Sequence, residues 1–164
     1  MQNRFETPNK PMIPAEYVVI GGGPAGICAV AKLFGAKIPG KNIVWVDPQF
    51  NVGDFGTKLS VGSSVPGNTA VESYQKVNHA IYNLIHSSAP TGDEKTNFKI
   101  NGMAPDTTCA LSVAAEPLQH ISTLLCGLVN SIKGNVCSIQ ETKEGLEVEI
   151  TATDDTKKYK LLAK

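Results

Sequence analysis

The chain has 164 residues, 15 of them basic and 15 acidic, and a formal net charge of zero. Because the basic residues are dispersed, the charge pattern gives no reason to expect binding to nucleic acid or to an anionic membrane. No apolar run approaches the ~18 residues of a transmembrane helix. The length is that of one domain with its own hydrophobic core.

Residues 1–15 lack the hydrophobic core of a signal peptide and are predicted to form a flexible arm, with the folded domain covering residues 16–164. The cysteines have no C-x-x-C spacing and are predicted to be free thiols; they are Cys28, Cys109, Cys126 and Cys137. Cys28 and Cys126 are expected to be buried on helices. This cysteine usage is typical of a reducing cytoplasm.

The most informative stretch is residues 16–26, EYVVIGGGPAG. Its apolar, β-branched part predicts a buried parallel strand that runs into a glycine-rich turn. Gly21, Gly23 and Gly26 occupy the three glycine positions of G-x-G-x-x-G, which serve a tight turn, close approach to a pyrophosphate, and helix–strand packing. The helix that follows would direct unpaired N–H groups and a partial positive charge at that pyrophosphate.

The order of the next elements supports a dinucleotide-binding site. A helix is predicted over about residues 24–33, and a second strand over residues 43–46 ends at Asp47. A carboxylate at this point can accept hydrogen bonds from both hydroxyls of a ribose, and it would repel the 2′-phosphate of NADP. The alternative is a glycine-rich turn in some other α/β protein.

This sequence resembles the FAD-binding part of flavoproteins with two dinucleotide-binding domains, among them the pyridine nucleotide–disulfide oxidoreductases and the flavin-containing monooxygenases. The resemblance is specific over residues 16–55. It implies that Gly53 and Asp54 line the ribityl chain and that the backbone of Val136 meets the adenine. The residues expected to bind FAD are Gly21, Gly23, Pro24, Ala25, Gly26, Asp47, Pro48, Gln49, Gly53, Asp54 and Val136.

Two further features bear on the chemistry that the resemblance implies. Disulfide oxidoreductases that carry their redox cysteines on the FAD domain have them immediately after the segment containing Gly53. This chain has none there, so a dithiol mechanism on this part of the protein is not expected. The segment 65–69 resembles the flavin-facing loop of monooxygenase-type members. Asn68 within it is the one candidate catalytic residue, because its amide could hydrogen-bond to the flavin ring.

The rest of the chain predicts elements without further chemistry. Helical spacing of apolar residues predicts a helix over 71–85, and residues 88–116 are predicted to form a long loop excursion. His79 and His86 lie seven residues apart without a third ligand, so no metal site is expected. A helix over 117–133 is predicted to be followed by three short strands, at 136–139, 146–151 and 159–162, that form an antiparallel meander.

The sequence therefore predicts an α/β, Rossmann-like FAD-binding domain with a parallel sheet, a helical excursion and a small antiparallel β-meander. It is expected to be the incomplete N-terminal part of a larger cytoplasmic, monooxygenase-like oxidoreductase acting on a small-molecule substrate, and to be inactive alone. Any NAD(P)H site would lie in the missing remainder. Two alternatives stay open: an NAD-dependent dehydrogenase domain and a non-enzymatic nucleotide-binding module. The oligomeric state is not predicted.

Overall fold

A computed structural model describes residues 12–54, 71–86, 98–154 and 157–164. In these residues six strands form a curled mixed sheet and three α-helices pack on it. The helices are α1 (Pro24–Gly35), α2 (Val71–His86) and α3 (Leu111–Leu128). The strands are β1 (Met12–Ala15), β2 (Tyr17–Ile20), β3 (Ile43–Asp47), β4 (Asn130–Thr142), β5 (Gly145–Ala152) and β6 (Lys158–Ala163).

The strands lie in the order β1-β6-β5-β4-β3-β2. Strands β2 and β3 are parallel, and β3 continues in parallel with the start of β4, from Val44 opposite Asn130 to Asp47 opposite Lys133. The remainder of β4 pairs antiparallel with β5, which pairs antiparallel with β6, and β6 pairs in parallel with β1. Strand β4 is thus shared between the parallel part of the sheet and the meander.

The two faces of β3 support two cores, because successive side chains of a strand point to opposite faces. Ile43 and Trp45 pack with buried residues of all three helices. Val44 and Val46 pack with residues of β1, β5 and β6, where the curled sheet covers its own second face. All five residues of β3 are buried, so this strand is the central element of the fold.

The predicted fold class is confirmed: the described chain is an α/β domain with a parallel sheet and an antiparallel meander. Helix α1, strand β3 and helix α2 lie where the sequence placed them, within two residues at each end. The hairpin of β5 and β6 also matches its prediction. None of the helices in the described ranges is both long and apolar enough to cross a membrane.

The boundaries around α3 were predicted wrongly. The helix begins at Leu111, so Pro117 lies inside it rather than in its first turn, and the helix ends at Leu128. Burial of Ala114 and Ala115 against the other helices favours the extra turns in spite of the backbone hydrogen bond that Pro117 cannot make. Residues 130–133 leave the helix because they pair with β3, and tertiary pairing overrides local propensity here.

Two smaller expectations also differ from the structure. Residues 12–15, predicted to belong to a flexible arm, form β1 beside β6; residues 1–11 lie outside the described ranges. Cys28 and Cys126 are half-buried rather than fully buried, and the four cysteines are free, as predicted. Removal from water raises the pKa of the Cys126 thiol, as it does for Cys109.

The junction within β4 gives a stability prediction. A Cβ on Gly134 would lie 2.6 Å from the Thr151 carbonyl oxygen and 2.8 Å from the Ile150 side chain. Gly134→Ala is therefore expected to lower the free energy of unfolding by about 1–3 kcal/mol, measured by urea titration. The matched control is Gly127→Ala in α3, where a Cβ would meet nothing within 4 Å. That control is expected to raise stability by up to about 1 kcal/mol; equal effects of the two would contradict the packing argument.

Candidate dinucleotide-binding site

The candidate site lies at the carboxyl ends of the parallel strands. Strand β2 leads into the turn 21–26, β3 ends at Asp47 and leads into the turn 48–53, and β4 carries Lys133 opposite Asp47. Ligands of open α/β sheets bind outside the carboxyl ends of neighbouring strands. The fold thus brings the glycine motif and the predicted acid to one edge.

The three motif glycines have different reasons for being glycine. Gly21 has φ +102°, a backbone conformation that L side chains rarely adopt. A Cβ on Gly26 would lie 1.9 Å from the Gly21 carbonyl oxygen, so glycine is needed for α1 to pack against β2. Gly23 has φ −74°, and among the described residues a Cβ there would make one ordinary contact, with the Val52 carbonyl oxygen at 3.9 Å. The packing of the described residues therefore requires glycine at 21 and 26 but not at 23.

The N-terminus of α1 faces this space without a capping side chain or an acidic residue of its own first turn. Gly23 is the N-cap residue and makes no side-chain capping bond, and the first turn of the helix contains no acidic residue. The first intrahelical bond is that of the Ile27 amide to the Gly23 carbonyl, at 3.0 Å. The amides of Ala25 and Gly26 precede it and have no intrahelical partner. With the helix dipole they form a positive, hydrogen-bond-donating end that suits an anion.

Asp47 is buried, with 7% of its surface exposed, and its carboxylate points to the glycine turn. Its Oδ2 accepts a hydrogen bond from the Gly22 amide at 2.7 Å. Its Oδ1 accepts bonds from the amides of Gln49 at 2.8 Å and Phe50 at 2.5 Å. A carboxylate has about four acceptor positions, and amides of the described residues use three of them. Within this part of the chain about one position is left, fewer than the two ribose hydroxyl bonds predicted from the sequence.

The turn after β3 is held closely against the glycine turn. Phe50, Val52 and Gly53 all have positive φ angles, between 54° and 59°. A Cβ on Gly53 would lie 3.3 Å from the Gly23 Cα atom. Gln119 of α3 donates a hydrogen bond to the Phe50 carbonyl at 2.9 Å, and the Thr153 hydroxyl donates one to the Pro48 carbonyl at 3.0 Å. Helix α3 and the β5–β6 hairpin thus fix the outer wall of the site.

Most of the predicted binding residues meet at this edge. The glycine turn, Asp47 and Gly53 are in contact through the bonds and approaches described above, and Pro48 and Gln49 are exposed beside them. Asp54 is exposed at the end of a described range. Val136 lies three residues beyond Lys133, pairs with Ile150 and packs on the second core, so its contact to adenine stays a prediction. Asn68 lies outside the described residues.

Sequence reasoning missed Trp45. Its indole Nε1 donates a hydrogen bond to the Gly21 carbonyl at 2.9 Å, and its ring is fully buried. The signal was present in the sequence: Trp45 precedes Asp47 by two residues, so the two side chains share one face of β3. The roles of Gln119 and Thr153 had no such local signal, because both reach the site from elements distant in sequence.

No protein-family model matches the chain. Over 101 residues it is 30% identical to Monooxygenase AgnR1 of Paecilomyces divaricatus, a match covering 60% of this chain and 24% of that protein. Among solved structures, the bacillithiol disulfide reductase Bdr (YpdA) of Staphylococcus aureus matches with a TM-score of 0.53 at 12% identity, over 92% of this chain and 36% of that one. The flavin-dependent monooxygenase PieE, solved with FAD and substrate, matches with a TM-score of 0.51 at 14% identity, over 93% and 29%.

These comparisons confirm the resemblance drawn from residues 16–55 to flavoproteins of the monooxygenase and disulfide reductase kinds. At 12–14% identity the solved structures show a shared fold. The chain spans about a quarter of the length of the curated relative it matches, 24%. What it shares with these proteins is therefore a part of each of them.

Because Gly26 is needed for packing and Gly23 is not, the two substitutions are predicted to differ in their effect on stability. Gly26→Ala forces a methyl group against the Gly21 carbonyl and is expected to lower the free energy of unfolding by roughly 1–3 kcal/mol. Gly23→Ala would make only an ordinary contact with the Val52 carbonyl and is expected to cost less than about 1 kcal/mol, the loss of a favourable N-cap residue. Chemical denaturation of both variants and of the unmodified chain measures the difference. An equal loss in the two variants would refute the assignment of Gly26 to packing.

Proposed function

We propose that this chain is the FAD-binding part of an FAD-dependent oxidoreductase of the monooxygenase type. The observation that carries the proposal is Gly23, where the packing of the described residues would tolerate a Cβ, at a helix N-terminus with no side-chain cap and no acidic residue in its first turn. A glycine that the protein does not need for its own packing is explained by a ligand whose atoms approach the backbone there. Similarity to Monooxygenase AgnR1 and to PieE, solved with FAD, favours a flavin dinucleotide as that ligand.

The residues at the edge fit a dinucleotide diphosphate. The amides of Gly23, Ala25 and Gly26 would donate to the phosphate oxygens, and Pro24 occupies the first helical position, where a missing N–H costs nothing. The free acceptor position of Asp47 would take one hydroxyl of the adenosine ribose. When bound, FAD supplies the electron-transfer chemistry, and the protein supplies binding, orientation and electrostatics.

The other proposed FAD-binding residues would lie on either side of the diphosphate site. Pro48 and Gln49 would border the adenosine, and Gly53 and Asp54 the ribityl chain. The backbone of Val136 would meet the adenine. Asn68 is proposed to hydrogen-bond to the flavin ring and is the one residue offered as catalytic.

The order of elements favours FAD over NAD. A plain NAD-dependent dehydrogenase domain continues in regular strand–helix alternation after the second strand. In the described parts of the chain, helices α2 and α3 lie between β3 and β4, and β4 continues into an antiparallel meander. The carboxylate of Asp47 disfavours a 2′-phosphate, so NADP is not proposed at this site.

The outer edge of β2 supports a longer protein. Strand β2 pairs with β3 on one side and, among the described residues, with nothing on the other. A groove of about 380 Å³ borders this edge and is lined in part by Ile20, Ile139 and Leu146, whose exposed fractions are 51%, 54% and 46%. Unpaired strand edges and exposed apolar surface are covered in stable proteins. We propose that a further parallel strand of a larger flavoprotein pairs with β2.

On this proposal the rest of the larger protein holds the NAD(P)H site and the small-molecule substrate site, and this chain alone does not turn over. A cytoplasmic location is proposed with it. FAD bound by these residues would supply the redox chemistry, with NAD(P)H as the reductant and molecular oxygen as the oxidant of a monooxygenase. A non-enzymatic nucleotide-binding module is the alternative.

The test begins with the intact gene product purified in its native length. The proposal expects the visible absorption bands of an oxidised flavin, their loss on anaerobic addition of NADH or NADPH, and their return with oxygen. Calorimetric titration should show FAD binding and weaker or no binding of NADP. Retained flavin without reduction by either nicotinamide would support the non-enzymatic module. NAD binding without flavin would support the dehydrogenase alternative.

A single substitution tests the decisive observation. Gly23→Ala is expected to keep the fold but to weaken FAD binding by roughly tenfold or more, because its methyl group occupies space that the phosphate needs. Gly102→Ala is the control, since a Cβ there would also cause no clash and the residue lies at the end of a short 3-10 helix outside the site. Unchanged FAD affinity in Gly23→Ala would remove the main support for the proposal.

A further inference from the structure

One peptide group of the glycine turn is held at both of its polar atoms by side chains of β3. The Gly21 carbonyl accepts a hydrogen bond from the Trp45 indole at 2.9 Å. The N–H of the same peptide group, that of Gly22, donates to Asp47 Oδ2 at 2.7 Å. Because Trp45 and Asp47 are two residues apart on a strand, both side chains point to the same face.

This arrangement fixes the orientation of the peptide plane between Gly21 and Gly22. Three consecutive glycines, residues 21–23, would otherwise have the greatest backbone freedom of any residue type. Rotation of the peptide plane would break both side-chain bonds together. It would also move the carbonyl oxygen that lies against Gly26 at the start of α1. The direction of the whole turn therefore depends on two neighbouring side chains of one strand.

The indole ring is itself immobilised. Trp45 is fully buried and meets Phe50 edge to face, with the ring centroids 4.8 Å apart. Other large apolar residues could fill a buried position of this kind. Only tryptophan combines a large aromatic surface with an N–H donor on a rigid bicyclic ring. A buried indole N–H needs an acceptor, and here the acceptor is the Gly21 carbonyl.

We propose that Trp45 is a positioning residue of the dinucleotide site. Its indole N–H sets the Gly21–Gly22 peptide so that the amides at the start of α1 are oriented before the ligand arrives. Preorganisation of this kind raises affinity because less ordering is left for the binding step. The identity of the ligand rests on the proposed function, whereas the positioning of the turn does not.

The contact of the indole N–H allows an isosteric test. Site-specific incorporation of β-(3-benzothienyl)alanine at position 45 exchanges the N–H for sulfur there alone. We expect FAD and ADP to bind about three- to tenfold more weakly, the loss of one hydrogen bond. The matched control is 4-fluorotryptophan at the same position, which keeps the N–H and is expected to bind both ligands like the unmodified chain. Trp45→Phe serves as a genetic check.

A second readout needs no ligand. The sulfur analogue is expected to raise the hydrogen-exchange rate of the Gly22 amide at least fivefold, while the amides of β5 and β6 exchange as before. Unchanged exchange at Gly22 would overturn the proposal, and so would an equal increase throughout the core, because Trp45 would then act only in packing. If the unmodified chain binds neither ADP nor FAD, but the Gly22 amide exchanges faster in the sulfur analogue, the proposed function fails and the positioning role stands. Unchanged affinities in a chain that does bind them would overturn the role in binding.

Discussion

The carboxylate of Asp47 is the interaction on which the candidate site depends. It sits at the end of the central strand and accepts backbone hydrogen bonds from both turns, from Gly22 on one side and from Gln49 and Phe50 on the other. A Cβ on Gly22 would lie 2.8 Å from the carboxyl carbon of Asp47, so a side chain at position 22 would collide with this group. Charge-assisted bonds of this kind are stronger than neutral ones. Without the carboxylate, three amides at one edge of the sheet would lose their acceptor.

Burial of Asp47 and Trp45 fixes the geometry of this interaction. Asp47 is shielded from water by the turns it joins, and Trp45 below it is fully buried between β3 and the helices. The two residues connect the hydrophobic core to the edge of the sheet: packing fixes the indole, the indole fixes a peptide, and the peptide fixes the start of α1. The positive end of α1 is therefore held by the core rather than by a capping side chain.

Sequence reasoning succeeded where local patterns carry the information. The glycine spacing, the β-branched run before it and the acid that ends β3 predicted the site because each is a short-range constraint on the backbone. It failed around Pro117, where burial of Ala114 and Ala115 extends a helix beyond a residue that normally begins one. It also failed at residues 130–133. These residues pair with β3 across some ninety positions of the chain, and no short-range sequence pattern indicates such a pairing. The acceptor count of Asp47 needed coordinates as well, since the competing amides are its own near neighbours.

The pairing of β1 with β6 has a consequence for how the molecule is made. Met12 lies opposite Lys160, so the first strand of the described chain finds its partner only in the last. During synthesis β1 leaves the ribosome long before that partner exists, and contacts of such wide separation close slowly. A nascent chain that has not yet reached residue 158 therefore holds β1 without its strand partner, and the sheet cannot complete its curl before β6 has been made.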